Sequence, residues 1–346
     1  YDSWRKEDLI KRLTDLENGG TGEFLKKVKK VRKMDFSKYT TRHVALKFAY
    51  LGWNYNGLAI QGEPTRLPTI ESVILEALTK CCLIEGDFHK CEFSRCGRTD
   101  KGVSAMSQII SIKVRSKLTP EQQEDPDFDL RELDYINILN SLLPDDIRVY
   151  SVALRLPKGF DARFSCTHRD YRYFFPGQGL DIDAMREAAS YYLGLNDFRN
   201  FCKVDVSKQI TNFCRTILKS EIHCLDGRDN PSTEKTYYYE LRGSAFLWHQ
   251  VRSMMAILFL VGQGYEKPTI VKDLLNVEKF PCRPLYQMAS EIPLVLYDCG
   301  YPEMEWKTVK EYKGITKLQE SIYNAWYDHH IKTTMSLAMK NRIFGD

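Results

Sequence analysis

Three stretches of this chain concentrate side chains able to do chemistry. The first, Arg95-Cys96-Gly97-Arg98-Thr99-Asp100-Lys101-Gly102-Val103, puts a carboxylate on a short loop bounded by glycines. A carboxylate on such a turn between strands can project into a cleft, and Arg98, two residues away, can hold it ionised. A fixed, ionised carboxylate is what nucleophilic catalysis at a sugar or base carbon requires. Read alone, the same residues equally describe an Arg–Asp pair that stabilises a turn.

The second stretch contains Asp161-Ala162-Arg163-Phe164-Ser165 and continues into Tyr171-Arg172-Tyr173-Phe174-Phe175. On a strand, Tyr171, Tyr173 and Phe175 share one face, and Arg172 and Phe174 the other. Rings beside guanidinium groups suit stacking on bases and contact with phosphates. The competing reading is an aromatic core face, with Tyr171 at the strand start as the ring that borders a cleft. The third stretch is Gly243-Ser244-Ala245-Phe246-Leu247-Trp248-His249-Gln250-Val251-Arg252. On a helix, Leu247, Val251, Met254 and Leu258 form a buried stripe, while His249 and Arg252 fall on a neighbouring face. Arg252 can then point at an acid in the cleft. His249 reads equally as a contact to substrate or as a hydrogen-bonded structural histidine.

The elements that must position these residues can be read from the periodicities. Alternation predicts strands over His43–Tyr50, Glu92–Arg95, Gln108–Arg115 and Ile147–Ala153, and helices over Thr69–Lys80 and Asp134–Leu142. That order is a split βαβ, ferredoxin-like unit. A second unit on the same plan has strands over Arg169–Phe175, Thr216–His223, Tyr237–Arg242 and Pro293–Asp298, with helices over Asp183–Leu193 and Phe246–Gly262. The expected fold is α+β, with two ferredoxin-like (split βαβ) halves. Four regions follow: an N-terminal helix and basic arm over 1–42, halves over 43–160 and 161–301, and a helical extension over 302–346. A short amphipathic helix over Trp4–Glu17, broken by Asn18-Gly19-Gly20, opens the first region, and a helix near Leu318–Ile331 lies in the last.

Composition narrows the class. With 43% apolar and 28% charged residues, the 346-residue chain is that of a soluble globular protein. Its longest apolar run, Met254–Val261, is too short to span a bilayer. The first residues lack an initiator Met and a signal-like apolar core, which leaves a targeting segment upstream open. The net charge of +4 is uninformative, but its distribution is not. Lys26, Lys27, Lys29, Lys30, Arg32, Lys33, Lys38 and Arg42 make a basic arm, whereas residues 121–134 are strongly acidic. A polyanion bound on one side fits this asymmetry, and so does a plain solvated tail. Ten cysteines without a Cys-x-x-Cys pair or a nearby pair of histidines argue for buried thiols in a reducing compartment and against a structural metal.

Taken together, Gly97-Arg98-Thr99-Asp100-Lys101-Gly102-Val103, Ala162-Arg163-Phe164-Ser165 with Tyr171-Arg172-Tyr173, and Phe246 through Arg252 resemble the three signature regions of the TruA family of tRNA pseudouridine synthases. The resemblance covers about 43–301, and Lys101 with the segment from Trp248 to Leu260 looks closest to the eukaryotic branch that modifies about positions 38 and 39 of the anticodon stem-loop. It implies that the two halves join into one mixed, mainly antiparallel sheet with a central RNA-binding cleft. It also implies a cofactor-independent isomerase that flips uridine out of its stem, with tRNA as partner and a homodimer as assembly. It also implies roles: Asp100 acts at the ribose C1′, Tyr171 accepts the C5 proton, Arg98 fills the space left by the flipped nucleotide, and Arg252 pairs with Asp100. Leu294 is implied in the apolar wall under the ring, and Lys29, Lys30, Arg32, Lys101, Arg172 and His249 in contacts to the substrate. The acidic stretch 121–134 is expected to be a surface loop turned away from RNA. Nuclear and/or cytoplasmic residence is expected. Two rivals share these residues: a non-catalytic RNA-binding protein, and a glycoside hydrolase, which lacks an obvious second carboxylate near the motifs.

Overall fold

The alternating stretch around His43 forms a strand in the computed structural model of the chain, which describes residues 34–204, 210–225, 235–308, 315–345 and a few positions between Glu7 and Thr14. This strand, β1 (Thr40–Tyr50), starts ahead of the expected His43, so Arg42 lies within it rather than in a free arm. α1 (Ile70–Lys80) is capped by Thr69, whose hydroxyl accepts from Ser72 N while the Ser72 hydroxyl accepts from Thr69 N. This reciprocal box fixes the helix start. β2 (Ser94–Arg95), β3 (Ser104–Ser116), α2 (Pro120–Glu124), α3 (Tyr135–Asn140) and β4 (Ile147–Ala153) complete the first half. Its strands run β4-β1-β3-β2, every pair antiparallel.

The second half repeats the plan. β5 (His168–Pro176), α4 (Ile182–Ser190), β6 (Gly194–Asp197), β7 (Cys214–Cys224), β8 (Thr236–Gly243), α5 (Gln250–Gly262), α6 (Ile270–Leu275) and β9 (Leu294–Gly300) follow in order. Their sheet runs β9-β5-β8-β7 with β6 outside, again antiparallel. Both halves therefore have ferredoxin-like strand order. They merge where β3 and β9 lie parallel through Ser104↔Val295 and Ala105↔Leu296, giving one mixed, mainly antiparallel sheet. β10 (Lys307–Thr308) adds to β4, and α7 (Ile315–Phe344) extends well past the expected 318–331, with Tyr323, Trp326 and Tyr327 exposed. Among the described residues, no helix is long and apolar enough to cross a membrane.

Each half has its own core, and the two interlock at the strand junction. Leu296 and Cys299 of β9 are buried with the first half, and Val103, just after the Asp100 loop, is buried with the second. Tyr171 packs against both cores.

The acidic stretch is largely exposed, as a surface loop should be, with two exceptions. Asp129 and Glu132 turn inward rather than away into solvent, because Arg42 on β1 donates to both, at 2.8 and 3.4 Å. Arg155 reaches Asp129 at 2.9 Å, and Ser116 Oγ donates to Glu132 at 2.6 Å. Buried ion pairs need such saturation of their hydrogen bonds.

The chain divides into a unit Tyr1–Asp35 and a unit Phe36–Asp346. In the first, Glu7, Leu9, Ile10, Leu13 and Thr14 have helical backbone, and Thr14 Oγ1 donates to Ile10 O at 2.9 Å. Lys29, Lys30 and Arg32, with the glycine break before them, lie outside the described residues.

Candidate active site

The loop carrying Asp100 is stitched to the neighbouring loop after β1. Leu58 N donates to Thr99 O at 3.1 Å, Gly102 N to Tyr55 O at 3.3 Å, and Gly52 N to Ser104 Oγ at 3.0 Å. Thr99 Oγ1 shares a 2.8 Å hydrogen bond with the buried hydroxyl of Tyr50. The approach is close enough to need a glycine: a Cβ on Gly52 would meet Val103 O at 2.0 Å. Val103 N closes the turn on Asp100 O at 3.1 Å, and Gly102 turns at φ +79°, where a side chain is disfavoured. Two loops and a core residue thus fix the aspartate while leaving its side chain about one-third exposed.

Asp100 is held from above by the third motif. Trp248 Nε1 donates to Asp100 Oδ1 at 3.2 Å, and His249 Nε2 lies 3.4 Å from Asp100 Oδ2. Both residues precede α5, which begins at Gln250 rather than at the expected Phe246. His249 is the residue before the first helical turn and sits at φ 63°, a left-handed conformation unusual for a non-glycine. Such a conformation costs on the order of 1 kcal/mol or more and survives only where surrounding packing imposes it. Burial pulls the His249 imidazole below its ordinary range. Asp100 opposes that shift, and Arg252, Lys203 and Arg283 reinforce it. Among the described residues, its buried Nδ1 finds no hydrogen-bond partner. Lys203 stacks over the Trp248 ring at 5.0 Å, and its amide donates to Trp248 O at 3.0 Å.

The expected pairing of Arg252 with Asp100 is not formed. Starting the helix at Gln250 puts Arg252 in the first turn, facing the segment before β9. There its Nε donates to Ala289 O and its Nη2 to Glu291 Oε2, both at 2.8 Å. Glu291 in turn lies against Gly102, where an added Cβ would come within 2.7 Å of its Cγ. The arginine is thus linked to the Asp100 loop through Glu291 rather than through the aspartate. Nor does Arg98 clamp Asp100. It is exposed and forms no ion pair among the described residues, and its charge is felt instead by Arg95 and the buried Glu71. Lys101 is also exposed.

Tyr171 reaches the same region from β5, whose pairing with β9 shifts register between Asp170 and Tyr171. Such an irregularity re-aims a side chain at the end of a regular ladder. The ring meets Phe246 edge-on at 5.1 Å. Burial pushes its phenol well above the ordinary tyrosine range, and the nearby Cys299 and Asp100 add to the rise. Arg172, on the opposite face of the strand, is stacked between Tyr297 at 3.6 Å and Tyr238 at 4.6 Å. It does not join Asp100. Leu294 opens β9 opposite Tyr173 and is buried in the second core.

Two residues of the site carried no role in the sequence reading. Trp248 stood inside the third motif, beside His249, and its indole N–H was a signal within reach. Glu291 had no such signal, since its contact with Arg252 depends on a 39-residue separation closed only by the fold. Among the described residues, Glu221, His223 and Glu240 on β7 and β8 are the one group spaced like metal ligands. Lys219, 2.9 Å from Glu240, already supplies the positive charge there.

The arrangement defines an α+β enzyme-like scaffold with one fixed, partly exposed carboxylate at the junction of two ferredoxin-like halves. Residues 188–302 match the family described as tRNA pseudouridine synthase. The chain is 55% identical over 339 residues to the tRNA pseudouridine(38/39) synthase of Saccharomyces cerevisiae, covering 91% of this chain and 75% of that protein. It is 46% identical to the Homo sapiens protein of the same name, covering 89% of this chain and 65% of that one. It is also 34% identical to tRNA pseudouridine synthase A of Methanothrix thermoacetophila, over 76% and 85% of the two chains. The chain belongs to the TruA family of tRNA pseudouridine synthases.

Proposed function

We propose that this protein isomerises uridine to pseudouridine in tRNA, at about positions 38 and 39 of the anticodon stem-loop, using Asp100. The reaction breaks the N1–C1′ bond, forms a C5–C1′ bond, and moves one proton from C5 to solvent while N1 gains one. The observation that carries the reading is Asp100 itself, a partly open carboxylate on a doubly stitched loop, with the Trp248 indole donating to it and the His249 imidazole 3.4 Å away. Preorganised donors of this kind need no rearrangement during the reaction. The names of the yeast and mammalian relatives support the choice of positions.

A stacked uridine hides C1′ and C5, so the base must leave the stem at a cost of a few kcal/mol. The exposed Arg98 is available to occupy the gap. Asp100 acts at C1′, and Tyr171 takes the C5 proton after the new bond makes that carbon acidic. A phenol raised above about 10 is a weak base in the free enzyme. It works only at that late stage. A homodimer and nuclear or cytoplasmic residence belong to the same proposal, supported by the family resemblance, and light scattering of the purified chain measures the former.

Incubation with tRNA tritiated at uridine C5 tests the proposal. Tritium release by the wild type, abolished in Asp100→Ala while tRNA binding persists, is the expected result. Release of free uracil, or binding without release by the wild type, would overturn it.

A further inference from the structure

The root of the Asp100 loop contains three thiols in mutual reach. Cys96 Sγ lies 3.3 Å from Cys299 Sγ and 3.5 Å from Cys166 Sγ. The three residues come from distant segments: Cys96 from the stem of the catalytic loop, Cys166 from the turn before β5, and Cys299 from β9. All are free thiols. Cys96 and Cys299 are buried at 1% and 5% exposure, while Cys166 is partly open to solvent. We propose that these three cysteines form an oxidation site for hydroperoxides, in which Cys96 forms a disulfide with Cys299 or Cys166 and so withdraws Asp100 from its donors.

The surroundings suit the chemistry. Hydrogen bonds with the Cys166 and Cys299 thiols pull Cys96 well below the ordinary thiol range against the opposing effect of burial, and the Arg169 guanidinium helps. A thiolate is the nucleophilic form of cysteine. Cys166 gives a molecule as small as hydrogen peroxide a way in. The Cys96 thiolate attacks one peroxide oxygen, giving a sulfenic acid and hydroxide. The thiol of Cys299 or Cys166 then attacks that sulfur, forming the S–S bond, and its proton leaves with the hydroxyl as water. Overall, two thiols and one peroxide become one disulfide and two waters.

Bond formation draws the sulfurs from 3.3–3.5 Å to about 2.0 Å. The backbone of Cys96 is held by Cys96 N to Ile109 O at 2.8 Å and by Arg169 Nη2 to Cys96 O at 2.7 Å. The next carbonyl, Gly97 O, accepts from Gln108 at 3.0 Å. Any movement of Cys96 therefore loosens the stem that ends, four residues later, in Asp100. Misplacement of a catalytic group by about 1 Å can cost up to roughly 100-fold in rate.

The proposed isomerase activity supplies the functional readout, and mapping of the bond is independent of it. The purified chain is treated with hydrogen peroxide, alkylated, digested without reduction and mapped by mass spectrometry, alongside tritium-release assays before and after thiol reduction. The expected result is a Cys96–Cys299 or Cys96–Cys166 peptide, with activity falling on the order of tenfold or more and returning on reduction. Cys166→Ala with Cys299→Ala, which leaves Cys96 without partners, keeps its activity after the same mild treatment. Each single variant, which disturbs the core less, forms only the remaining bond. The proposal is overturned if Cys96 still alkylates fully after peroxide. It is equally overturned if the cross-linked chain stays as active as the reduced one, or if the double variant is inactivated to the same reversible extent.

Discussion

Trp248 Nε1 and His249 Nε2 approach the two oxygens of Asp100 from adjacent positions of one turn, so the carboxylate's orientation depends on a local backbone conformation as well as on charge. Trp248→Phe keeps the ring and removes the donor. Loss of one charge-assisted hydrogen bond at a partly exposed site, about 1.5 kcal/mol, lowers single-turnover tritium release on the order of tenfold with little change in tRNA affinity. An equal loss of affinity and rate would show that the indole binds RNA instead. His249 adds a pH signature. Its folded-state pKa is depressed, chiefly by burial, so below about 6.5 the unfolded chain takes up the proton first and stability drains away as pH falls toward the lowered value. Urea midpoints between neutral and mildly acid pH should therefore decline in the wild type and decline less in His249→Gln, with His43, depressed for the same main reason, supplying part of what remains. At this scale the sequence singles out Asp100, Tyr171 and His249, which the fold brings into one region, because each sits in a short run of telling neighbours. It misjudged the partners of Asp100, because a guanidinium two residues away looks closer in sequence than an indole 148 residues away.

Among the elements, the strands and their order were legible because alternation and glycine punctuation repeat in both halves. The start of α5 was not, since Phe246 and Leu247 fit the apolar stripe of a helix that begins only at Gln250. The acidic stretch is largely the surface loop that a run of acids implies, but Asp129 and Glu132 are buried in it because β1 presents Arg42 to them, which no local pattern shows. Arg42 and Arg155 clamp Asp129, and Arg42 also Glu132, against the start of β1. Removing one member of a buried pair leaves an uncompensated charge, so Asp129→Asn should cost about 3 kcal/mol in urea denaturation. Burial by itself raises the Asp129 pKa, but hydrogen bonds and charge from Arg42 and Arg155 outweigh it and bring it below the ordinary value. That contribution is present above about pH 3.8 and disappears as the pH drops through the lowered pKa.

For the whole molecule, the N-terminal charge asymmetry is a statement about RNA affinity. If Lys29, Lys30 and Arg32 touch phosphates, a chain lacking residues 1–34 should bind tRNA more weakly regardless of sequence. Its log–log salt dependence should also be shallower, by about one unit for each phosphate no longer neutralised. An unchanged slope in filter-binding titrations would assign those lysines and that arginine to solvent. The two-half plan was readable from the order of elements, but the join between halves was not, because it rests on a two-residue parallel pairing between segments nearly two hundred positions apart. That join has a consequence for how the protein is made. β9 is translated late, yet it supplies the parallel neighbour of β3 just after the Asp100 loop and adds Leu294 to the core that buries Val103. A polypeptide still on the ribosome thus carries Asp100 on a loop already stitched to its own half, long before Trp248, His249 and β9 are in place. Pairings so distant in sequence also form slowly. The complete surroundings of Asp100 arrive at the end of folding, and an incomplete or stalled chain holds the aspartate without them.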